Sequence, residues 1–223
     1  MRISGHEKLT LTDYPGHIAT IVFTQGCNFR CPFCQNSTLL SHEEGLINEN
    51  DIFSYLEKRK GVLEGVVVSG GEPTLQKDLK LFLRKIKELN LKVKLDTNGS
   101  NYEVLKDLID EKLVDYVAMD VKNTFDEYDK ICGVNVKIDN IKKSIALLRE
   151  KKCDYEFRTT IVSEFHDIDK ILKLCNEYKN DKYFLQNFRD SENVLLKNLH
   201  SFTESELKEI KEKIKRFKNV NIR

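Results

Sequence analysis

Two rhythms of apolar and polar positions alternate along the chain. Short apolar runs rich in β-branched residues predict buried strands over 17–24 (HIATIVFT), 65–69 (GVVVS), 91–96, 114–121, 156–162 (EFRTTIV) and 183–186. Between them, apolar residues recur at helical spacing. Leu79, Leu81, Phe82, Leu83, Ile86 and Leu89 predict a helix within 75–89. Further helices are predicted over 50–60, with Asn50 and Asp51 as candidate caps, and over 102–113, 138–151 and 168–178. An amphipathic helix is predicted over 203–217, with Thr203 and Glu206 spaced as a capping box, and 220–222 reads as a last edge strand.

Repeated strand–helix units imply a parallel sheet with right-handed crossovers. About six such units are too few for a full eight-stranded barrel, so the expected fold class is α/β, an open partial (β/α)6 barrel. The 223 residues hold no internal repeat, low-complexity tract or linker. They read as a single domain, 1–223, with a core at about 17–190 and the helix at 203–217 covering the barrel. Ligands of such sheets bind at the carboxyl ends of the strands, so chemistry is expected just after strands.

Charge narrows the partners. With 37 basic and 36 acidic side chains, a net charge of +1 points to neither nucleic acid nor a membrane surface. Residues 1–10 carry charges and no apolar stretch of the secretory kind, and no run is long enough to span a bilayer, so a cytoplasmic location is expected. Six cysteines in such a chain argue for metal or redox use rather than a disulfide framework.

Cys27, Cys31 and Cys34 form a C-x3-C-x2-C loop directly after the first predicted strand. Three thiolates that close can wrap one metal centre. A four-iron cluster normally takes four cysteines, so three leave one iron open to a ligand, as catalytic zinc sites keep an open position. Zinc itself would want a fourth protein ligand; His6, His17 and His42 are candidates, none at a finger-like spacing. Cys132, Cys153 and Cys175 are far apart and read as buried or half-buried thiols.

Other strand ends carry Gly70-Gly71-Glu72-Pro73, Asp96-Thr97-Asn98-Gly99, Asp120-Val121-Lys122 and Arg158. Singly, these read as a tight turn, a cap and a surface ion pair. Jointly, at one sheet face, they suit a ligand with a ribose, an amine and a carboxylate. The two glycines allow close backbone approach, and Glu72 with the turn carbonyls would accept from an ammonium group.

The cysteine loop, with Phe33 before its third cysteine, and the Gly-Gly-Glu-Pro turn resemble those of the radical S-adenosylmethionine (SAM) superfamily. Asp96-Thr97-Asn98-Gly99 and Asp120-Val121-Lys122 are similar to segments of one branch, the activating enzymes of glycyl radical enzymes. Residues 11–16 (LTDYPG) and 23–28 (FTQGCN) resemble a narrower group, the activating proteins of anaerobic ribonucleoside-triphosphate reductase. The resemblance spans roughly residues 7–190.

The resemblance implies that Cys27, Cys31 and Cys34 ligate a single [4Fe–4S] cluster whose fourth iron takes the amino and carboxylate groups of SAM. A single cluster is expected because residues 35–69 contain no cysteine. Phe33 and Gln35 would lie against the adenine. Gly70, Gly71 and Glu72 would hold the methionine amine. Asp96, Thr97 and Asn98 would meet the ribose or a nearby cation. Asp120 and Lys122 would lie beside the methionyl end, with Arg158 at the barrel mouth. The pyruvate formate-lyase activators carry a SAM-contacting His after the sixth strand; residues 183–188 (YFLQNF) have none, and Gln186 or Asn187 stands in its place. The implied activity is reductive cleavage of SAM, with a flavodoxin or ferredoxin as electron donor, to place a glycyl radical on the anaerobic reductase. Three alternatives stay open: an activator of another glycyl radical enzyme such as pyruvate formate-lyase, a small-molecule radical SAM enzyme such as a carboxy-deazaguanine synthase, and a non-catalytic zinc protein.

Overall fold

The computed structural model describes residues 1–41 and 46–223; His42 lies outside them. The six predicted strands form as β2 (Ala19–Thr24), β3 (Gly65–Gly70), β4 (Lys92–Thr97), β5 (Tyr116–Asp120), β6 (Asp154–Ile161) and β7 (Tyr183–Asn187). The edge strand β8 (Val220–Ile222) joins β7. One further strand, β1 (Ile3–Thr10), precedes them and pairs antiparallel with β2. The sheet order is β1-β2-β3-β4-β5-β6-β7-β8, with β2 to β8 parallel and β1 and β8 at its two edges. The sheet is an open partial barrel rather than a closed one.

Helices fill the crossovers: α1 (Glu49–Lys58), α2 (Leu79–Glu88), α3 (Tyr102–Asp110), α4 (Tyr128–Cys132), α5 (Ile138–Arg149), α6 (Ile168–Glu177) and α7 (Glu204–Ile214). Three boundaries differ from expectation. The cap of α1 is Asn48, whose side chain accepts from the Asn50 N–H at 2.9 Å; Asn50 and Asp51 sit inside the first turn. There Glu49 and Asp51 face the positive end of the helix dipole. The stretch 75–89 is not one helix: Pro73–Leu75 forms a separate 3-10 turn, and α2 starts at Leu79. The helix α4 was not expected, because five residues are too few to show a period. The capping box of Thr203 and Glu206 is formed at the start of α7.

Period-two alternation splits each strand. Val66, Val68, Val93, Leu95, Val117 and Phe157 join Leu56, Phe82, Leu105 and Ile145 of the helices in the main core. The opposite, inner face holds a small apolar cluster of Ala19, Ile21, Val67, Tyr116 and Ala118, closed by Tyr14 from the β1–β2 loop. Beyond that cluster the inner face turns polar, with Lys94, Asp96, Asp120 and Arg158. Helix α7 packs on α6 and β8, burying Ile210 and Ile214. Among the described residues, no helix is long and apolar enough to cross a membrane.

Candidate active site

The polar end of the inner face opens into a cavity of about 360 Å³ at the carboxyl ends of the strands. That volume is within the range of small-molecule sites, about 300–1,000 Å³. Cys27, Cys31 and Cys34 line it together with Phe33 and Gln35. Gly70 and Gly71 line it from β3, Asp96, Thr97 and Asn98 from β4, Asp120 and Lys122 from β5, and Arg158 from β6. Of the two residues that stand where a histidine is missing, Gln186 lines the cavity. Asn187 does not; its side chain exchanges two hydrogen bonds with the Phe202 backbone.

The cysteine loop is held by its own backbone. Cys34 N–H donates to the Cys31 carbonyl at 3.0 Å, and Phe29 N–H donates to Cys27 Sγ at 3.4 Å. Arg30 folds its guanidinium back onto the Cys27 and Phe29 carbonyls, both at 2.8 Å. Among the described residues no three His, Cys, Asp or Glu side chains could hold a metal ion. His6 bonds Thr20 on the β1–β2 ladder, and His17 lines a different cavity. Three thiols sharing one cavity wall suit the cysteine set of an iron–sulfur cluster. Burial pushes the Cys27 thiol up to about 12, and the cation Lys122 works against that rise.

The Gly-Gly turn is stitched to this loop. Gly71 N–H donates to the Thr24 carbonyl at 2.9 Å and Glu72 N–H to the Gly26 carbonyl at 2.8 Å. A Cβ on Gly71 would stand 2.2 Å from the Gly26 carbonyl oxygen. The glycine is therefore required by the loop's own backbone, whatever else approaches it.

Glu72 departs from the sequence expectation. Its carboxylate is fully buried and is not part of the cavity wall. Oε1 accepts from Thr74 N–H, Thr74 Oγ1 and Thr97 Oγ1, and Oε2 accepts from Asn98 N–H at 2.7 Å. These bonds tie the Gly-Gly turn to the β4 end. Burial raises the Glu72 carboxyl above its usual range despite these donors. Asn98 completes the tie, donating from Nδ2 to Asn28 Oδ1 at 3.0 Å.

The charged side chains form one chain across the strand ends. Ser69 Oγ donates to Asp96 Oδ2 at 3.0 Å, and Lys94 Nζ donates to Asp96 Oδ1 at 2.5 Å. Arg158 bridges Asp96, at 3.5 Å, and Asp120, at 2.9 Å. Lys122 holds the other Asp120 oxygen at 3.1 Å. Asp96 is thus neither a cap nor a turn residue, and Asp120–Lys122 is not a surface pair. Lys94 escaped the sequence reading because KVKLD looks like ordinary strand alternation with a solvent-facing lysine. Asp13 escaped it too, although it lies within LTDYPG and lines the cavity.

A family model, the radical SAM superfamily, matches residues 21–175. A Methanocaldococcus jannaschii protein provisionally named a glycyl-radical enzyme activating enzyme is 37% identical over 232 residues, covering 99% of this chain and 95% of that protein. The pyruvate formate-lyase-activating enzyme of Clostridium pasteurianum is 32% identical, covering 80% of this chain and 76% of that enzyme. Among solved structures, Streptococcus suis SuiB superposes with a TM-score of 0.70 at 21% identity, over 91% of this chain and 48% of SuiB. A domain of a pyruvate-formate lyase-activating enzyme from Bacteroides vulgatus gives 0.58 at 16% identity, over 71% of this chain and 98% of that domain.

Proposed function

The chain belongs to the radical SAM superfamily, in the branch of glycyl-radical-enzyme activating enzymes, and on that premise we propose that it activates an anaerobic ribonucleoside-triphosphate reductase. One observation carries the site: the three loop cysteines, the Gly-Gly turn and the charged strand ends share one cavity. The choice of partner rests on LTDYPG and FTQGCN, which resemble segments of that group of activators. When bound, the [4Fe–4S] cluster and SAM would supply the one-electron reductive cleavage chemistry by which a hydrogen atom is removed from a glycine of the partner.

The protein's own residues bind and orient. Cys27, Cys31 and Cys34 hold three irons. The Gly70 and Gly71 backbone borders the space for the methionyl amine, and Glu72 positions that turn from behind through Thr97 and Asn98. Asp96, fixed by Lys94 and Arg158, presents an oriented carboxylate to the ribose side of SAM or to a cation, and Asp120, fixed by Arg158 and Lys122, does so beside the methionyl end. Phe33, tilted 6.2 Å from Phe165, supplies an apolar wall for the adenine. No side chain need act as general acid or base. The electron donor is a flavodoxin or ferredoxin.

The experiment presents the reduced, SAM-loaded protein to the anaerobic reductase and, separately, to pyruvate formate-lyase, and reads the glycyl radical by electron paramagnetic resonance. A radical on the reductase alone supports the proposal. The Clostridium pasteurianum relative keeps a lyase as the second reading, and a radical on the lyase alone would replace the first with it.

A further inference from the structure

Asp96 lines the cavity with two candidate occupants to meet, a ligand's ribose or a cation, and its neighbours do not suit the cation. Lys94 stands two residues before Asp96 on β4, so period-two alternation puts both side chains on the inner face. The Lys94 side chain is 3% exposed, and its ammonium lies 2.5 Å from Asp96 Oδ1. A lysine is almost never so buried unless it is paired. Asp96 is its one hydrogen-bond partner among the described residues.

Every oxygen of the two strand-end carboxylates already has a donor. Asp96 Oδ1 has Lys94, and Oδ2 has the Ser69 hydroxyl at 3.0 Å and the Arg158 guanidinium at 3.5 Å. Asp120 Oδ1 has Arg158 at 2.9 Å, and Oδ2 has Lys122 at 3.1 Å. Three positive groups thus hold two negative ones, a net charge of +1. Glu156, two residues before Arg158 on β6, does not offset it, because Arg223 neutralises Glu156 through bonds of 3.1 and 3.2 Å. Asp13, the other carboxylate of the wall, sits on the β1–β2 loop and accepts from the Thr10 and Thr12 hydroxyls.

A hard metal ion binds oxygens at about 2.0–2.6 Å. On Asp96 Oδ1 it would stand no more than about 5 Å from the Lys94 nitrogen, two positive centres on one oxygen. A hydroxyl group meets no such conflict. An ionised carboxylate has about four lone-pair sites, so Asp96 keeps room for an O–H donor beside its three present partners.

We propose that Lys94 is a built-in counter-ion that takes a metal cation's place at the strand ends: it holds Asp96 in position, so the cavity binds its ligand without an added cation and Asp96 is left to a hydroxyl of that ligand. Lys94 is a positioning residue, since it lies outside the cavity wall and acts through Asp96. The inference rests on the reading that the cavity binds SAM.

The test is SAM binding by the anaerobically reconstituted, unreduced protein, read by titration calorimetry rather than turnover. The buffers hold sodium, potassium, magnesium or tetramethylammonium, the last too large to coordinate, at matched ionic strength. Wild type should give dissociation constants within about twofold of one another in all four, since binding that needs no cation is linked to none. Lys94→Met keeps the reach of the side chain and removes its charge, leaving Asp96 a carboxylate short of one partner. Its affinity in tetramethylammonium should fall by about tenfold, the size of one charge-assisted hydrogen bond, and a small cation should restore it. Wild type that binds SAM only with a small cation present would overturn the proposal, and this comparison decides alone if the variant does not fold. A folded Lys94→Met that binds as wild type in tetramethylammonium would also overturn it. So would one that no small cation restores, because Lys94 would then be a prop of the fold. Wild type with four irons that binds no SAM in any buffer would sink the functional reading itself and this inference with it.

Discussion

Arg158 on β6 and Asp120 on β5 are register partners on adjacent parallel strands, and Arg158 Nε donates to Asp120 Oδ1 at 2.9 Å. The pair lines the cavity that the three loop cysteines also line. Parallel pairing puts these side chains side by side on the inner face, so the fold itself sets the charge that a bound ligand meets.

Acid should uncouple this pair. Burial alone would raise the Asp120 carboxyl, but Arg158 and Lys122 outweigh it and hold it at about 2, below its ordinary 3.8. A depressed carboxyl stabilises the fold above its unfolded value and loses that contribution as pH falls through the folded one. The stability gap between wild type and Asp120→Asn, from urea unfolding, should therefore be constant from about pH 8 to 5 and shrink between about pH 4 and 2. A gap that stays level to pH 2 would contradict the assignment.

Glu72→Gln should cost stability. A buried amide cannot accept from all of Thr74, Thr97 and the Asn98 N–H, so one donor is left unpaired. The expected loss is about 1–3 kcal/mol in urea unfolding. Unchanged stability would mean that the carboxylate is not the tie between the two turns.

Gly71→Ala should displace the cysteine loop. The new methyl would stand 2.2 Å from the Gly26 carbonyl oxygen, an overlap that only backbone movement relieves. Overpacking of this kind costs about 1–3 kcal/mol or more. Iron per chain after reconstitution should fall well below wild type; full iron content would show that the turn and loop move independently.

Cysteine replacements should separate ligands from bystanders. Cys27→Ala, Cys31→Ala and Cys34→Ala should each lose most bound iron, whereas Cys153→Ala and Cys175→Ala should keep it. Cys175 is enclosed in the main core, and Cys153 lies at the opposite, amino-terminal end of the strands, in the wall of another cavity. Iron retained in any of the first three would remove that residue from the ligand set.

The six central strands and the cysteine loop were legible because each leaves a dense local signal: an apolar run, or three cysteines within eight residues. The strand β1 was not, since its residues 3–10 (ISGHEKLT) sit at an antiparallel edge where polar side chains meet water. Lys94 was hidden for the opposite reason. The inner face of an open barrel can hold a lysine if a carboxylate waits beside it, and only the fold shows that Asp96 does. Glu72 carried the family motif, yet which way its carboxylate turns depends on Thr97 and Asn98, some 25 residues along the chain.

A cluster on Cys27, Cys31 and Cys34 that cleaves SAM has a product that can be measured. The most direct measurement is 5′-deoxyadenosine formed by anaerobically reconstituted protein with dithionite and SAM, beside the Cys31→Ala variant. Wild type should give deoxyadenosine and methionine in equal amounts and the variant neither. No deoxyadenosine from a wild-type protein with four irons and a fully reduced cluster would contradict it.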